Sequence, residues 1–383
     1  MKFDTKCVRA AIAPDPTTGA IVPPLYQTAT YVLPEVGQDR GFDYTRSSNP
    51  TRQMAEEQLA SLEGMIHGRA FASGMSAVDA VFRLFGAGDH IVCGDDVYGG
   101  VTRLLDRVLD RAGIAVTYVD ASQPGEIAAA MRDETRLVWI ETPTNPLLKV
   151  ADVEAAAKIA HDGQALLGVD STFATPYHLQ PAELGADIVM HSTTKYLSGH
   201  NLIIGGMVLV NDDEVADGLR FLQKSIGAVP SPFDCWLLMH GLKTLSLRMA
   251  RHSSNAAQVA TFLAEHPKVA RVAYPGLEND PGHPIAARQM RNGFSGMVSF
   301  ELVGGTPAGI ELMNAVQLCA LAESLGAVES MITHPSSMTH ADVPKEEREA
   351  RGLTDGLVRI SVGIEDPEDI LADLDHGLEE VSA

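Results

Sequence analysis

From about residue 50 the chain alternates short apolar runs with stretches of helical spacing. Six runs read as strands: His90–Cys93, Ala115–Val119, Leu137–Glu141, Leu166–Asp170, Ile188–His191 and Met207–Val210. They are nearly continuous in Val, Ile and Leu, the pattern of strands covered on both faces in a parallel sheet. Between and around them, Arg52–Leu62, Met75–Phe85, Val101–Arg111, Glu126–Met131 and Val153–His161 read as helices. Such alternation predicts βαβ units and an open α/β sheet. Before it, Pro14, Pro16, Pro23, Pro24 and Pro34 predict an extended arm with little helix. An arm of that length is expected to lie on a neighbouring subunit. After Pro232 the texture changes. One long helix is expected over Phe233–Ala264, then strands at Ala270–Ala273, Met297–Leu302 and Val358–Val362. Helices follow at Pro284–Met290 and Asp366–Leu378. The expected division is an arm (1–49), a large α/β unit (50–232), and a connecting helix with a small α+β unit (233–383).

Composition narrows this picture. The 383 residues are 45% hydrophobic and 21% charged, ordinary for a chain with a packed core. Lys and Arg number 29 against 50 Asp and Glu, a net charge of −21. A chain so acidic is poorly suited to nucleic-acid phosphate or an anionic membrane. The acidity is expected on the outer surface. Cys7, Cys93, Cys235 and Cys319 form no CxxC pair, so neither a zinc knuckle nor a redox motif is visible. The first residues, Met1 to Lys6, lack the apolar core of a signal peptide, and the longest apolar run, Leu202–Val210, is too short to span a bilayer. A cytoplasmic protein is expected. No HExxH is present, and no GxGxxG follows the early strand, which argues against a metal hydrolase and a nicotinamide enzyme. No metal is expected.

Ligands in open α/β sheets sit beyond the carboxyl ends of the strands. Four strands are followed there by Asp95 to Gly100, Glu141 to Pro146, Asp170 to Phe173 and Ser192 to Lys195. A lysine, an acid, an aromatic, an amide and several hydroxyls thus converge on one rim. That set suits pyridoxal phosphate: a lysine to bind its aldehyde, an acid for its ring nitrogen, an aromatic for its face. Ser73-Gly74-Met75 opens a helix, where free N–H groups favour a phosphate. Each residue alone also has a structural reading. Ser73 can be a helix cap, Asp170 a strand end, Tyr98 a core residue and Asn145-Pro146 a turn.

The stretch His191 to His200, HSTTKYLSGH, resembles the lysine signature of the Cys/Met-metabolism family of pyridoxal-phosphate enzymes. Further matches are Tyr44 to Arg52, Ala72 to Met75, Tyr98 to Gly100 and Glu141 to Pro146. Others are Ala322 to Gly326, Met338 to His340 and Arg359 to Glu365. The resemblance runs in order along almost the whole chain. It implies the aminotransferase-like α/β fold (fold type I), with a large mostly parallel sheet domain and a smaller α+β C-terminal domain, and an active site shared between subunits of a homotetramer. It also implies roles. Lys195 would be the Schiff-base lysine and proton shuttle. Asp170 would pair with the ring nitrogen, and Tyr98 would stack on the ring and act as an acid. Gly74, Met75, Ser192 and Thr194 would bind the phosphate. Tyr44 and Arg46 would reach the neighbouring subunit's phosphate. Arg359, Asn145 and Ser324 would hold the substrate carboxylate. Asp43, Arg103 and Glu323 match positions that face the distal end of substrate in cystathionine γ-lyases and γ-synthases.

The sequence departs from the family pattern at Ser171, often Asn, and at Asn201-Leu202, often Ser-Asp. Both leave Lys195 and Asp170 intact. Gly100 stands where methionine γ-lyases usually carry Cys, and Glu323 where they tend to be apolar. Cystathionine β-lyases usually lack the Tyr98-Gly99-Gly100 turn. Some γ-synthases have Arg at the position of Ser47. The expected reaction is therefore γ-elimination from a sulfur amino acid, as in cystathionine γ-lyase. The alternative is γ-replacement on a homoserine ester, as in cystathionine γ-synthase, and methionine γ-lyase is the third reading.

Overall fold

The computed structural model describes residues 1–338, 345–350 and 352–382. Thr339 and His340, part of one family match, lie outside the described residues. Seven strands form the large sheet: β1 (His67–Phe71), β2 (His90–Gly94), β3 (Ala115–Val119), β4 (Thr135–Glu141), β5 (Leu166–Asp170), β6 (Ile188–His191) and β7 (Gly206–Val210). Their order is β1-β7-β6-β5-β4-β2-β3. All six predicted strands are present within a residue or two.

The sheet is mostly parallel, as the resemblance implies, and two of its features go beyond the sequence: the direction of β7 and the presence of β1. β7 pairs antiparallel with both β6 and β1, so the sheet is mostly parallel. Only residues 192–205 connect β6 to β7, and no helix crosses over, which a parallel pairing requires. β1 was not legible because His67, Gly68 and Arg69 interrupt its apolar character. Two successive antiparallel pairings leave β1 parallel to β6, so its end opens on the same rim as those of β2, β4, β5 and β6.

Apolar clusters cover both faces of this sheet, through Val138, Ile140, Leu167 and Val169 on one side and Ile91, Leu137 and Trp139 on the other. Trp139 is fully buried edge-on to Phe82, with ring centroids 5.2 Å apart. The second sheet has five strands: β8 (Val269–Ala273), β9 (Met297–Leu302), β10 (Ala320–Leu321), β11 (Met331–Thr333) and β12 (Leu357–Ser361). Their order is β10-β11-β12-β9-β8. Its core holds Val298, Phe300, Ile360 and Leu374. The short strands β10 and β11 have no run long enough to read from sequence.

The helices carry three corrections. The arm begins with a helix, Phe3–Arg9, placed ahead of the first proline; Cys7 is buried and Phe3 meets Tyr177 edge-on. The helix expected over Val101–Arg111 is α-helical only over Gly99–Leu104, then widens to a π turn at Leu105–Leu109. The long helix expected over Phe233–Ala264 is two, Pro232–Lys243 and Leu245–Glu265, broken at Thr244. Among the described residues no helix is long and apolar enough to cross a membrane.

His252, on the second of these helices, is buried, and its Nδ1–H donates to the Val362 carbonyl at 2.7 Å. Burial pushes its pKa down to about 4. In the unfolded chain it titrates near its ordinary value of about 6.5. As pH falls between these values the unfolded chain takes the proton first. Stability present above about pH 6.5 is therefore lost as pH drops toward 4. His252→Gln is expected to remove about 3 kcal/mol of that loss. Urea denaturation of both proteins at pH 7 and pH 4 checks this; equal losses would refute it.

Candidate active site

A cavity of about 750 Å³ opens at the carboxyl rim of the large sheet, against the second sheet. Twelve of the fifteen residues expected at the site line it: Lys195, Asp170, Tyr98, Gly74, Met75, Ser192, Thr194, Arg359, Asn145, Ser324, Glu323 and Arg103. They come from segments far apart in sequence. Strand ends supply Asp170, Tyr98 and Lys195, and β12 supplies Arg359. Asp43, Tyr44 and Arg46 do not reach this chain's cavity. Tyr44 and Arg46 line a separate surface groove, where Arg46 Nη1 donates to the Lys224 carbonyl at 2.5 Å.

Lys195 sits in the turn after β6. Its Nζ lies 3.3 Å from Ser324 Oγ. Burial and then the neighbouring Arg359 lower its pKa to about 8. A large fraction of the amine is therefore neutral, and nucleophilic, just above neutral pH. Arg359 is buried, with Nη1 donating to Asn145 Oδ1 at 2.7 Å and Nη2 to the Ser324 carbonyl at 3.1 Å. Burial lowers its pKa to about 10. Its Nε has no partner among the described residues, and no carboxylate pairs with it there. A buried guanidinium with an idle donor is suited to an incoming carboxylate.

On the opposite side stand two acids. Asp170 ends β5 and faces Glu141, its register partner at the end of β4. Asp170 Oδ1 accepts from the Thr172 N–H at 3.0 Å and from its hydroxyl at 2.6 Å, leaving Oδ2 for a donor in the cavity. Burial raises the Asp170 pKa despite these bonds. Burial, and then Asp170, push Glu141 well above the usual carboxylate range. Glu141 Oε2 accepts from the Tyr98 N–H at 2.8 Å. Glu141 and Thr172 join the site although the sequence motifs assign neither a role; both stand in the segments that follow the strands. An acid closing the apolar run Leu137–Ile140 is the signal available for Glu141.

The helix Gly74–Phe82 begins at the cavity. Ser73 caps it, its hydroxyl accepting from the Ser76 N–H at 3.0 Å. The N–H groups of Gly74 and Met75 have no acceptor within the helix. A Cβ on Gly74 would lie 3.1 Å from Ser192 Cβ and Oγ, so the glycine keeps this corner open. Ser192 Oγ makes no hydrogen bond among the described residues. Thr194 Oγ1 is already engaged, donating to the Gly205 carbonyl at 3.2 Å. The departures are absorbed locally. Ser171 is buried with its hydroxyl unpartnered, and Asn201 takes a left-handed conformation and donates to Glu329.

These residues fit pyridoxal phosphate. The half-buried amine, the acid with a free oxygen across the cavity and the open anion corner each match one part of it. Fold and cavity together define a pyridoxal-phosphate enzyme of fold type I.

The profile described as Cys/Met metabolism PLP-dependent enzyme matches residues 4–379, and the chain belongs to that family. It is 50% identical over 375 residues to a cystathionine β-lyase of Lactococcus lactis, covering 98% of both chains. It is 49% identical over 381 residues to a cystathionine γ-lyase of Bacillus subtilis, covering all of both. A cystathionine γ-synthase of Mycobacterium tuberculosis is 50% identical over 376 residues, 98% of this chain and 96% of that one. The solved structure of cystathionine γ-lyase from Lactobacillus plantarum, complexed with L-serine, superposes with a TM-score of 0.96. It is 44% identical, with 100% of this chain and 99% of that one covered. At such similar identities, overall likeness does not separate the three reactions.

Proposed function

We propose that the protein cleaves L-cystathionine by γ-elimination, giving cysteine, 2-oxobutanoate and ammonia with uptake of one water. The observation that carries this reading is the cavity itself. The half-buried amine of Lys195 and an amino-acid carboxylate clamp, Arg359 with Asn145, share it with Glu323 and Arg103. A second amino-acid end of substrate needs paired charges of that kind. Glu323 and Arg103 serve γ-replacement on an O-acylhomoserine equally well, which makes that reaction the second reading.

Bound pyridoxal phosphate supplies the electron sink that makes proton loss from the substrate α-carbon accessible. Lys195 Nζ takes and returns that proton. Asp170 holds a proton on the ring nitrogen. Gly74, Met75, Ser192 and Thr194 hold the phosphate. Tyr98, at the cavity mouth, covers the ring and gives a proton to the leaving thiolate. Arg359, Asn145 and Ser324 grip the α-carboxylate, and Glu323 and Arg103 meet the distal end, to which a neighbouring subunit's arm would bring its own Asp43.

The arm (1–49) serves a neighbouring subunit in this reading. Tyr44 and Arg46 point away from their own cavity, and Ile21, Val32 and Val36 are exposed, 71%, 93% and 103%. A partner that covers these apolar residues would receive Tyr44 and Arg46 in its phosphate site, as in a homotetramer of shared sites. Residues 50–232 carry the cofactor, and residues 233–383 close the site. Four buried free cysteines suit the reducing cytoplasm.

The test incubates the protein separately with L-cystathionine, L-methionine, and an O-acylhomoserine plus cysteine. Release of 2-oxobutanoate from cystathionine, with little product from the others, is expected. Pyruvate and homocysteine from cystathionine would mark β-elimination instead. Cystathionine made from the acylhomoserine would establish the replacement reaction.

A further inference from the structure

Arg248 is an arginine buried without a carboxylate. It is 4% exposed on the helix Leu245–Glu265, and no ion pair includes it among the described residues. Its donors go to main-chain carbonyls and one hydroxyl. Nη1 donates to the Tyr196 carbonyl at 2.6 Å, and Nη2 to the Gly241 carbonyl at 2.8 Å and the Leu197 carbonyl at 3.4 Å. Nε donates to Thr244 Oγ1 at 3.2 Å. Burying a cation carries a desolvation cost that an apolar side chain of similar volume would not. The arrangement is informative because of which carbonyls it serves.

Tyr196 and Leu197 directly follow Lys195. Their turn is closed by three backbone bonds, from Lys195 N–H to Ser192, Ser198 N–H to Thr193 and Gly199 N–H to Lys195. None of these satisfies the carbonyls of Tyr196 and Leu197, and Arg248 is their donor among the described residues. Gly199 makes the approach feasible. It sits at φ +72°, and a Cβ there would lie 2.1 Å from Arg248 Nη1. The break between the two long helices at Thr244 belongs to the same device. Thr244 donates to the Gly241 carbonyl and accepts from Arg248, so the guanidinium also closes the end of the helix Pro232–Lys243.

We infer that Arg248 is a positioning residue for Lys195, acting through the turn that carries it. The guanidinium ties the lysine turn to the helices leading into the second sheet, the sheet that supplies Arg359. It thereby holds Lys195 Nζ in register with Ser324 and the carboxylate clamp. Displacing a reacting group by about 1 Å can cost about 100-fold in rate. A lysine at 248 keeps the charge but cannot bridge three carbonyls from one plane.

The inference rests on Lys195 being the reactive lysine, so its first readout needs no substrate. In cofactor-free protein, Lys195 acetylation by acetic anhydride is followed by mass spectrometry from pH 6 to 10, relative to the other lysines. Wild-type Lys195 is expected to titrate near 8. In Arg248→Lys its midpoint rises toward an ordinary lysine value, and dissociation of pyridoxal phosphate speeds up about 10-fold or more. With L-cystathionine, kcat falls about 10- to 100-fold while KM changes less than about 3-fold. In Arg248→Ala, millimolar methylguanidine restores part of the lost cofactor retention. Wild-type Lys195 titration and cofactor dissociation in Arg248→Lys, with only a lower melting temperature, would overturn the inference. If cystathionine proves not to be the substrate, the titration and dissociation arms still decide it.

Discussion

Lys195→Ala is expected to lower kcat by about 10⁴-fold or more, the largest effect of any single change in this protein. Two losses combine. In the proposed mechanism the substitution removes both the amine that would bind the cofactor aldehyde covalently and the base that would move the α-proton. A positioned acid–base group alone contributes typically 10²–10⁴-fold. The fold should survive the change. Lys195 Nζ makes one long contact, 3.3 Å to Ser324, and stands beside another buried cation, Arg359. Removing it relieves repulsion and burial cost, so the melting temperature of the cofactor-free variant should be unchanged or higher. Differential scanning calorimetry and steady-state turnover together read both consequences. Normal turnover by Lys195→Ala, with a cofactor still captured on the protein by borohydride, would reject the assignment of this lysine.

Asp170→Asn is expected to lower kcat by on the order of 10²- to 10³-fold, with a small change in KM. Charge developing on the substrate α-carbon is held by a ring whose nitrogen keeps its proton. A fixed carboxylate is the group that keeps it there. Asparagine has nearly the same shape, and its Oδ1 can accept the same two bonds from Thr172. It lacks the charge. The same substitution removes one of two buried acids that face each other at the ends of β4 and β5. The cofactor-free variant should therefore be more stable than the wild type while the loaded enzyme is slower. That opposite movement separates an electrostatic role from a structural one. A variant that keeps wild-type kcat would show that Asp170 only ends its strand.

Much of the site was legible because its residues sit where strands stop. Asp170, Ser192, Lys195 and Asn145 each follow an apolar run within a few residues, and that spacing places them on one rim whatever the details of packing. Arg359 was legible only through its motif, since it lies inside a buried strand, where an arginine has no local reason to be. Arg248 was not legible at all. It reads as one charged residue among the apolar positions of a long helix, and only the break at Thr244 and the approach of the lysine turn give it a task. The direction of β7, though not the strand itself, escaped for a similar reason: an apolar run carries no sign of which way it runs.

Taken alone, the sequence determined the class of sheet, the rim and the chemistry gathered there, because periodicity and strand-end residues are local properties. Tertiary structure decided the rest. It set β7 against its neighbours and split the connecting helix in two. It placed Glu141 opposite Asp170, brought Arg359 to Asn145 and turned Tyr44 and Arg46 away from their own cavity. Each of these depends on contacts between segments far apart in the chain. Burial then set the charges: the same lysine and carboxylates would titrate normally in water, whereas burial, with Arg359 alongside, moves Lys195 down, and burial moves Asp170 up.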